Sequence, residues 1–258
     1  SLYLLEGLLN QTSGLQPTQI MTDTAGYSDL IFGLFGLLGF QFSPRIANKH
    51  GTKLWRIEKN ADYGLLNDVT KSRINTDLIE EHWEDILRVA GSLKSGKVNA
   101  TELTRALQRS GQPTSLGKAI TEYGKVYKTK HQLRYLSDEI YARQILEQLN
   151  KGESRHALCR SIFYGRNGKL YQTYIDGMEE QLTSLSVVTN AVIYWNTLYL
   201  EKVLEQMKVE GYDCSEELIG KLSPLLFEHI NFVGKYSFQY NQGLEDGSLR
   251  PLKTPDSL

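Results

Sequence analysis

The chain has 258 residues, a formal net charge of −1 and two cysteines. This length suffices for one large domain or two smaller ones with a real hydrophobic core. The near-zero charge excludes a global basic field, so any nucleic-acid binding has to come from local patches. Cys159 and Cys214 make neither a disulfide framework nor a zinc site, which favours a reducing compartment.

No segment of the sequence has the character of a membrane span. The longest uncharged apolar run, residues 30–40, has 11 residues, whereas about 20 are needed to cross a bilayer. No signal peptide is visible. We therefore expect a soluble, cytoplasmic protein. Because the chain begins at Ser1 and its opening residues read as the middle of an element, we also expect a fragment of a longer polypeptide.

The first sixty residues predict a mixture of helices and strands. The predicted helices cover residues 1–10 and 27–38, and the predicted strands cover residues 19–22, 40–42 and 53–57. Asp23, Thr24 and Ser28 are candidates for the cap of the second helix.

After Asn60 the pattern predicts helix upon helix. The predicted helices cover residues 76–90, 99–107 with Asn99 as cap, 115–136, 137–149, a helix capped by Asn150, 176–209 and 222–233. The tail from Asn241 is rich in glycine and proline and is predicted to be irregular.

Two acidic residues are candidate metal ligands. Asp23 ends the apolar run that starts at Gln19, and an acid at the carboxyl end of a strand commonly holds a catalytic metal. Glu153 lies 130 positions further on, so only folding could bring the two together. Each also has a purely structural interpretation: Asp23 as a helix cap, and Glu153 as the partner of Asn150 in a capping box.

The surroundings of Glu153 favour the metal interpretation. Gly152 permits close approach of another backbone. The segment 154–175 contains basic residues and no acid; the basic residues are Arg155, Arg160, Arg166 and Lys169. A carboxylate at the start of a basic helix suits a metal that must meet phosphate. His156, three positions after Glu153, lies nearly on the same face, whereas the other histidines are expected at the surface or in the core.

A second basic stretch is a candidate nucleic-acid surface. Its basic residues are Lys125, Lys128, Lys130 and Arg134, and they alternate with Tyr123, Tyr127 and Tyr135. Lysines beside tyrosines suit a nucleic-acid backbone. A solvated helix face explains the same pattern equally well.

Two glycine-containing segments predict packing and turns rather than nucleotide binding. Residues 91–98 resemble a phosphate-binding loop, but Val98 stands where the motif needs the hydroxyl of Ser or Thr, so a helix–helix turn is expected. Gly33, Gly36 and Gly39 recur every third residue without a dinucleotide-binding pattern. We expect them to let their helix approach a sheet closely.

Several blocks of sequence together resemble the replicative transposases of the Tn-three family, from class II transposons. The blocks that carry the resemblance are residues 22–29, 32–34, 37–46, 61–63, 73–75, 82–83, 87–94, 149–158, 195–197 with Tyr199, 222–224 and 228–231, followed by Gly234, Tyr236 and Phe238. They cover nearly the whole chain in the order of the family, which is more specific than any single motif.

The resemblance implies a DDE transposase with an RNase H-like catalytic fold. Asp23 and Glu153 correspond to the second and third catalytic acids of the family, with a helical insertion between them. The implied cofactor is Mg²⁺, two ions in the complete enzyme. The implied reaction is nicking at the transposon ends and joining of each 3′ end to target DNA, which gives a cointegrate. The implied partners are the terminal inverted repeats, target DNA and, in the full-length enzyme, a second copy of the chain.

The expected fold class is therefore a helix-rich α/β protein with an incomplete RNase H-like core, a helical insertion and a helical C-terminal region. The expected divisions are residues 1–60 and 138–175 for the core, 61–137 for the insertion and 176–258 for the C-terminal region. We further expect DNA phosphates near Arg155, His156 and Arg160.

The family's first catalytic aspartate has no counterpart here, because residues 1–22 contain no Asp. A catalytically dead remnant that binds DNA or pairs with an intact transposase is therefore an alternative. A helical scaffold whose acids serve only as caps is a third.

Overall fold

The computed structural model describes residues 2–11, 14, 16–24, 27–48, 51–70, 72–109, 111–170 and 174–235. The chain divides into two compact units, Ser1–Leu149 and Asn150–Leu258. The described part is rich in helix, with short strands, as the sequence predicts. None of the described helices is both long and apolar enough to cross a membrane.

The first unit opens with a parallel pair of strands joined by a helix. Its elements are α1 (Leu2–Leu9), β1 (Gln19–Thr22), α2 (Asp29–Leu37) and β2 (Gln41–Pro44). Gln19 pairs with Gln41 and Thr22 with Pro44. Because the strands are parallel, their carboxyl ends lie at the same edge. The prediction for this segment is confirmed. Strand β2 begins one residue later than predicted, at Gln41, and ends two residues later than predicted, at Pro44.

Short strands and helices follow in the same unit. They are β3 (Trp55–Arg56), a 3₁₀ turn (Gly64–Asp68), β4 (Ser72–Arg73), α3 (Thr76–Glu81), α4 (Trp83–Lys94), α5 (Ala100–Ala106), β5 (Gln108–Arg109), β6 (Gln112–Pro113) and α6 (Ser115–Ser137). Strand β3 pairs with β4 in parallel, and β5 with β6 antiparallel. The single helix predicted over residues 76–90 is wrong in one respect, since the backbone leaves helical geometry at His82 (φ −102°, ψ 10°).

The main core of the first unit forms where α2 lies against α6. The fully buried side chains of this core include Leu5, Phe32, Leu34, Phe35, Ile86 and Ile120. A methyl group added at Gly33 would lie 2.5 Å from the Ile120 carbonyl oxygen, and one added at Gly36 would lie 2.8 Å from the Tyr127 ring. These two glycines therefore permit close approach to a helix, not to a sheet as the sequence suggested.

The boundary between the units falls within α7 (Glu139–Ile162). The second unit continues with a 3₁₀ turn (Gly165–Gly168), the long helix α8 (Ile175–Val209) and α9 (Glu216–Ile219). Helix α8 confirms the prediction for residues 176–209. The predicted tail from Asn241 lies outside the described residues.

Two predictions for the second unit are wrong. Asn150 is not a helix cap, because α7 is continuous through it. Residues 222–233 form turns rather than a helix. There, Pro224 has no N–H to donate, and the carbonyls of Pro224 and Leu226 accept hydrogen bonds from the Asn196 side chain instead of from a helical backbone.

Replacing a helical glycine with alanine should have opposite effects on stability at Gly124, which lies in the contact of α2 with α6, and at Gly91, which has open space around it. A methyl group at Gly124 would collide with the backbone carbonyl of Asp29, so Gly124→Ala should lower the free energy of unfolding by about 3 kcal/mol. Gly91, inside α4, has no atom within 4 Å of the added carbon, so Gly91→Ala should raise it by about 0.5–1 kcal/mol. Urea unfolding of both variants measures the two changes in the free energy of unfolding. Equal changes would contradict the close packing of α2 against α6.

Candidate active site and basic surfaces

Asp23 lies immediately after β1, at the carboxyl edge of the parallel pair. Its side chain is exposed, and its carbonyl oxygen accepts a hydrogen bond from the Thr22 hydroxyl at 3.1 Å. The cap of α2 is Ser28, whose hydroxyl accepts from the Ile31 N–H at 3.3 Å. Capping of α2 therefore does not explain an acid at position 23, whereas strand ends at such an edge are common ligand sites.

A buried ion pair fixes the start of α2 just beyond Asp23. The Lys128 ammonium lies 2.7 Å from the Asp29 carboxylate, with side-chain exposures of 12% and 21%. The same ammonium lies 4.3 Å from the centre of the Tyr27 ring and 5.4 Å from that of Trp55. Gln132 donates to the Tyr27 hydroxyl at 2.6 Å. The segment after Asp23 is thereby tied to α6 at several points.

Burial raises the pKa of the Tyr27 phenol to about 12, the Gln132 hydrogen bond opposes this rise, and the Asp29 charge adds to it. Tyr27 therefore remains protonated at neutral pH and acts as a hydrogen-bonding and packing group. Sequence reasoning missed this cluster because Tyr27 and Lys128 are 101 positions apart.

A second buried network joins β2 to α6 and α7. His131 contacts the Pro44 carbonyl oxygen through Nε2 at 2.9 Å and the Tyr141 hydroxyl through Nδ1 at 3.0 Å. The carbonyl can only accept, so Nε2 carries the proton and Nδ1 accepts from Tyr141. Tyr141 in turn accepts from Ser43 at 2.7 Å. The prediction that most histidines are surface or satisfied core residues is confirmed at His131.

Glu153 lies in the interior of α7 and its side chain is exposed. Because α7 runs without a break from Glu139 to Ile162, Glu153 is not in the first turn of a helix, and the capping-box interpretation is wrong. His156 and Arg160 follow at three and seven positions, and both are exposed. This spacing places the three side chains on one stripe of the helix. Arg155 lies off that stripe, half-buried, with Nη1 3.8 Å from the Cys159 sulfur.

The basic stretch of α6 separates into two kinds of residue. Lys125 pairs with Glu122 and Lys128 with Asp29, and both lysines are largely buried. Lys130 is exposed and takes part in none of the ion pairs between described residues. Arg134 is half exposed and lies 3.9 Å from Asp138. The charge available to an external anion is therefore concentrated at Lys130 and Arg134.

In the second unit, the side chain of Asn196 ties α8 to the turns at residues 224–229 through hydrogen bonds that sequence reasoning did not identify. Asn196, 4% exposed, donates to the carbonyls of Pro224 and Leu226, both at 2.8 Å. Its side-chain oxygen is then left to accept from His229 Nε2 at 3.0 Å. The His229 ring stacks on Trp195 with centroids 5.9 Å apart. These residues belong to blocks that carry the family resemblance, which was the only available signal.

The candidate acids have the chemistry of magnesium ligands, since hard divalent cations prefer carboxylate oxygens. Both are exposed and thus accessible to an ion and to DNA. Within the described ranges, no group of three or more His, Cys, Asp or Glu side chains is placed to hold a metal ion. Asp23 lies in the first unit and Glu153 in the second.

Comparison with known proteins agrees with the resemblance. The sequence matches the family described as Tn3 transposase DDE domain over residues 1–236. It is similar to the transposase for transposon gamma-delta of Escherichia coli (strain K12), at 48% identity over 252 residues. It is also similar to the transposases for Tn4556 of Streptomyces fradiae (46% over 255 residues) and Tn1546 of Enterococcus faecium (40% over 253 residues).

Each of these alignments covers 98% of the chain, but only 25%, 28% and 26% of the respective relatives. The chain therefore spans about a quarter of the length of these curated relatives. No solved structure matches it.

The His131 network predicts a pH dependence of stability. Burial lowers the pKa of His131 from 6.5 to about 4; the Pro44 carbonyl opposes this shift and the Arg134 charge adds to it. As the pH falls below 6.5, the unfolded chain binds the proton first. The free energy of unfolding should therefore decrease from pH 6.5 to about pH 4, by up to about 3 kcal/mol from this residue.

Urea unfolding across this pH range measures the effect, with His131→Gln as the comparison. The substitution should flatten the slope between pH 6.5 and 4 while lowering stability at pH 7. Identical slopes in the two proteins would contradict a neutral His131.

Proposed function

Because the chain belongs to the Tn3 transposase DDE domain family, we propose that Asp23 and Glu153 are catalytic acids of a replicative DNA transposase. The observation that carries the proposal is the position of Glu153. It is an exposed carboxylate in the middle of a helix, where capping does not account for it. Asp23, at the carboxyl edge of the parallel strands, supports the same role.

The β1–α2–β2 segment supports an RNase H-like core as the scaffold of this site. Parallel strands connected by a helix place Asp23 at the edge where such folds bind ligands. In this proposal residues 61–137 are the helical insertion, and α7 after it carries Glu153. The full set of acids in the family includes one that precedes Asp23 in the chain order, and residues 1–22 contain no Asp.

Asp23 and Glu153 hold Mg²⁺ in this proposal. When bound, the metal supplies activation of the attacking water or 3′ hydroxyl and stabilisation of the leaving oxygen. His156 and Arg160 share the exposed stripe of Glu153 on α7, which supports a role for them in contacting the phosphates that flank the reacting one. Arg155 is a weaker candidate because it is half-buried beside Cys159.

The substrates in this proposal are the inverted repeats at the transposon ends and target DNA. The reaction nicks each 3′ end and joins it to the target, giving a cointegrate, and the complete enzyme acts as a homodimer. Lys130 and Arg134 add a second DNA contact on α6, whereas Lys125 and Lys128 mainly stabilise the first unit through their ion pairs. The alternative is a DNA-binding remnant without catalysis.

Conservative substitution of either acid tests the assignment. Asp23→Asn and Glu153→Gln should each reduce Mg²⁺-dependent nicking of a plasmid carrying transposon ends by about 100-fold or more, because a neutral amide holds Mg²⁺ poorly. DNA affinity should be retained. The assay requires the complete protein as its gene encodes it.

Two exposed acids serve as matched controls. Glu147→Gln removes the same charge from α7 on a different face, and Asp77→Asn removes one from α3. Both should nick as the wild type does. Full nicking by Asp23→Asn or by Glu153→Gln would refute the catalytic role. A wild-type protein that binds the ends but never nicks them would favour the remnant.

A further inference from the structure

A cavity of about 320 Å³ opens in the first unit between the end of α2, strand β2 and the helices α6 and α7. Its walls include the aromatic rings of Phe40, Phe42, Tyr127 and Tyr141, and two cations, Lys130 and Arg134, also line it. Phe40 and Tyr127 are half-buried, so part of each ring is available to a ligand. This volume is near the lower end for small-molecule pockets, which suits a single flat ring system.

The electrostatics of this aromatic cavity favour an anionic ligand. None of the described residues that line it is Asp or Glu. Lys130 is exposed and outside the ion pairs of the described residues. Arg134 is held with its guanidinium carbon 4.1 Å from the centre of the Tyr141 ring. The cations thus lie beside a largely apolar interior, an arrangement that matches a flat apolar ring attached to a phosphate.

We propose that this aromatic cavity accepts one unstacked base of a DNA strand, with Lys130 and Arg134 contacting the adjoining phosphates. The inference rests on the proposed DNA function and adds a subsite to it. Stacking on aromatic rings accepts any base, while the cations track the backbone. Gln41 also lines the cavity, and its amide donates to the Tyr141 hydroxyl at 3.2 Å. This amide offers a polar group for the edge of a base.

The cavity is separate from the proposed metal site. Asp23 follows the carboxyl end of β1 and is not among the residues that line the cavity. A base held in the cavity would therefore fix a DNA strand at a distance from the reacting phosphate and would not take part in the chemistry.

Cross-linking locates the base directly. The probe is a DNA duplex with a short single-stranded 3′ tail that carries one 5-iodouracil, irradiated in complex with the complete protein. We expect a cross-link to Phe40 or Tyr127 themselves, assigned by fragmentation of the cross-linked peptide, because the tryptic peptide that contains Phe40 also contains Asp23. Gln41→Phe places an aromatic ring of the protein in the cavity, so this variant should lose the cross-link. Gln41→Ala loses the same hydrogen bonds to Ser43 and Tyr141 but leaves the cavity open, so it should keep the cross-link.

Binding measurements by fluorescence anisotropy test the phosphate contact on the same probe. Lys130→Gln should weaken binding by about 3- to 10-fold and reduce the slope of log K against log salt by about 1. Lys118→Gln is the matched control, since Lys118 is an exposed lysine of the same helix outside the cavity. It should change affinity by less than about 2-fold.

Two results would overturn the inference while leaving the proposed function standing. One is cross-linking confined to residues that do not line the cavity, and the other is equal affinity for Lys130→Gln and Lys118→Gln. If the wild-type protein did not bind DNA at all, the proposed function would be contradicted, and so would the proposed subsite.

Discussion

The approach of α2 to α6 is the constraint on which the first unit depends. Gly124 brings the α6 backbone against the carbonyl of Asp29, and one turn later Lys128 pairs with the carboxylate of the same residue. Backbone and side chain of Asp29 are thus fixed by one helix. Asp29 begins α2 six positions after Asp23, so this contact fixes the helix that follows the first proposed catalytic acid.

The same packing decides which cations of α6 are exposed to an external anion. Lysines on one helix look alike in sequence, yet Lys125 and Lys128 point to carboxylates and are largely buried, whereas Lys130 is exposed. An ion pair that is already satisfied offers little attraction to phosphate, because binding would first have to break it. Lys130 keeps its charge for an external partner, whereas Arg134 is half exposed and also lies 3.9 Å from Asp138; both line the cavity beside aromatic rings. One helix therefore serves both the core and a proposed DNA surface.

The sequence predicted local elements well and long-range partners poorly, for physical reasons. Hydrophobic periodicity predicts α2, α6 and α8, and side-chain caps add to it at α2 and α6, since these signals are local in sequence. The prediction that a helix begins at Asn150 was wrong because asparagine, a good cap residue, is also tolerated inside a helix. The turns after Leu222 depend on Asn196, 28 positions before Pro224, so local sequence could not reveal them. The residue pattern and the resemblance both pointed to Asp23 and Glu153 as candidate acids, whereas the aromatic cavity required knowledge of how β2 meets α6.

The central claim is that Asp23 and Glu153 are both direct ligands of the catalytic metal. The most direct test replaces each with cysteine and compares nicking in Mg²⁺ and in Mn²⁺, since Mn²⁺ accepts a sulfur ligand more readily than Mg²⁺ does. The account predicts that Asp23→Cys and Glu153→Cys are inactive in Mg²⁺ and partly active in Mn²⁺, whereas Glu147→Cys behaves as the wild type in both. An unchanged ratio of the two activities for either substituted acid would contradict it.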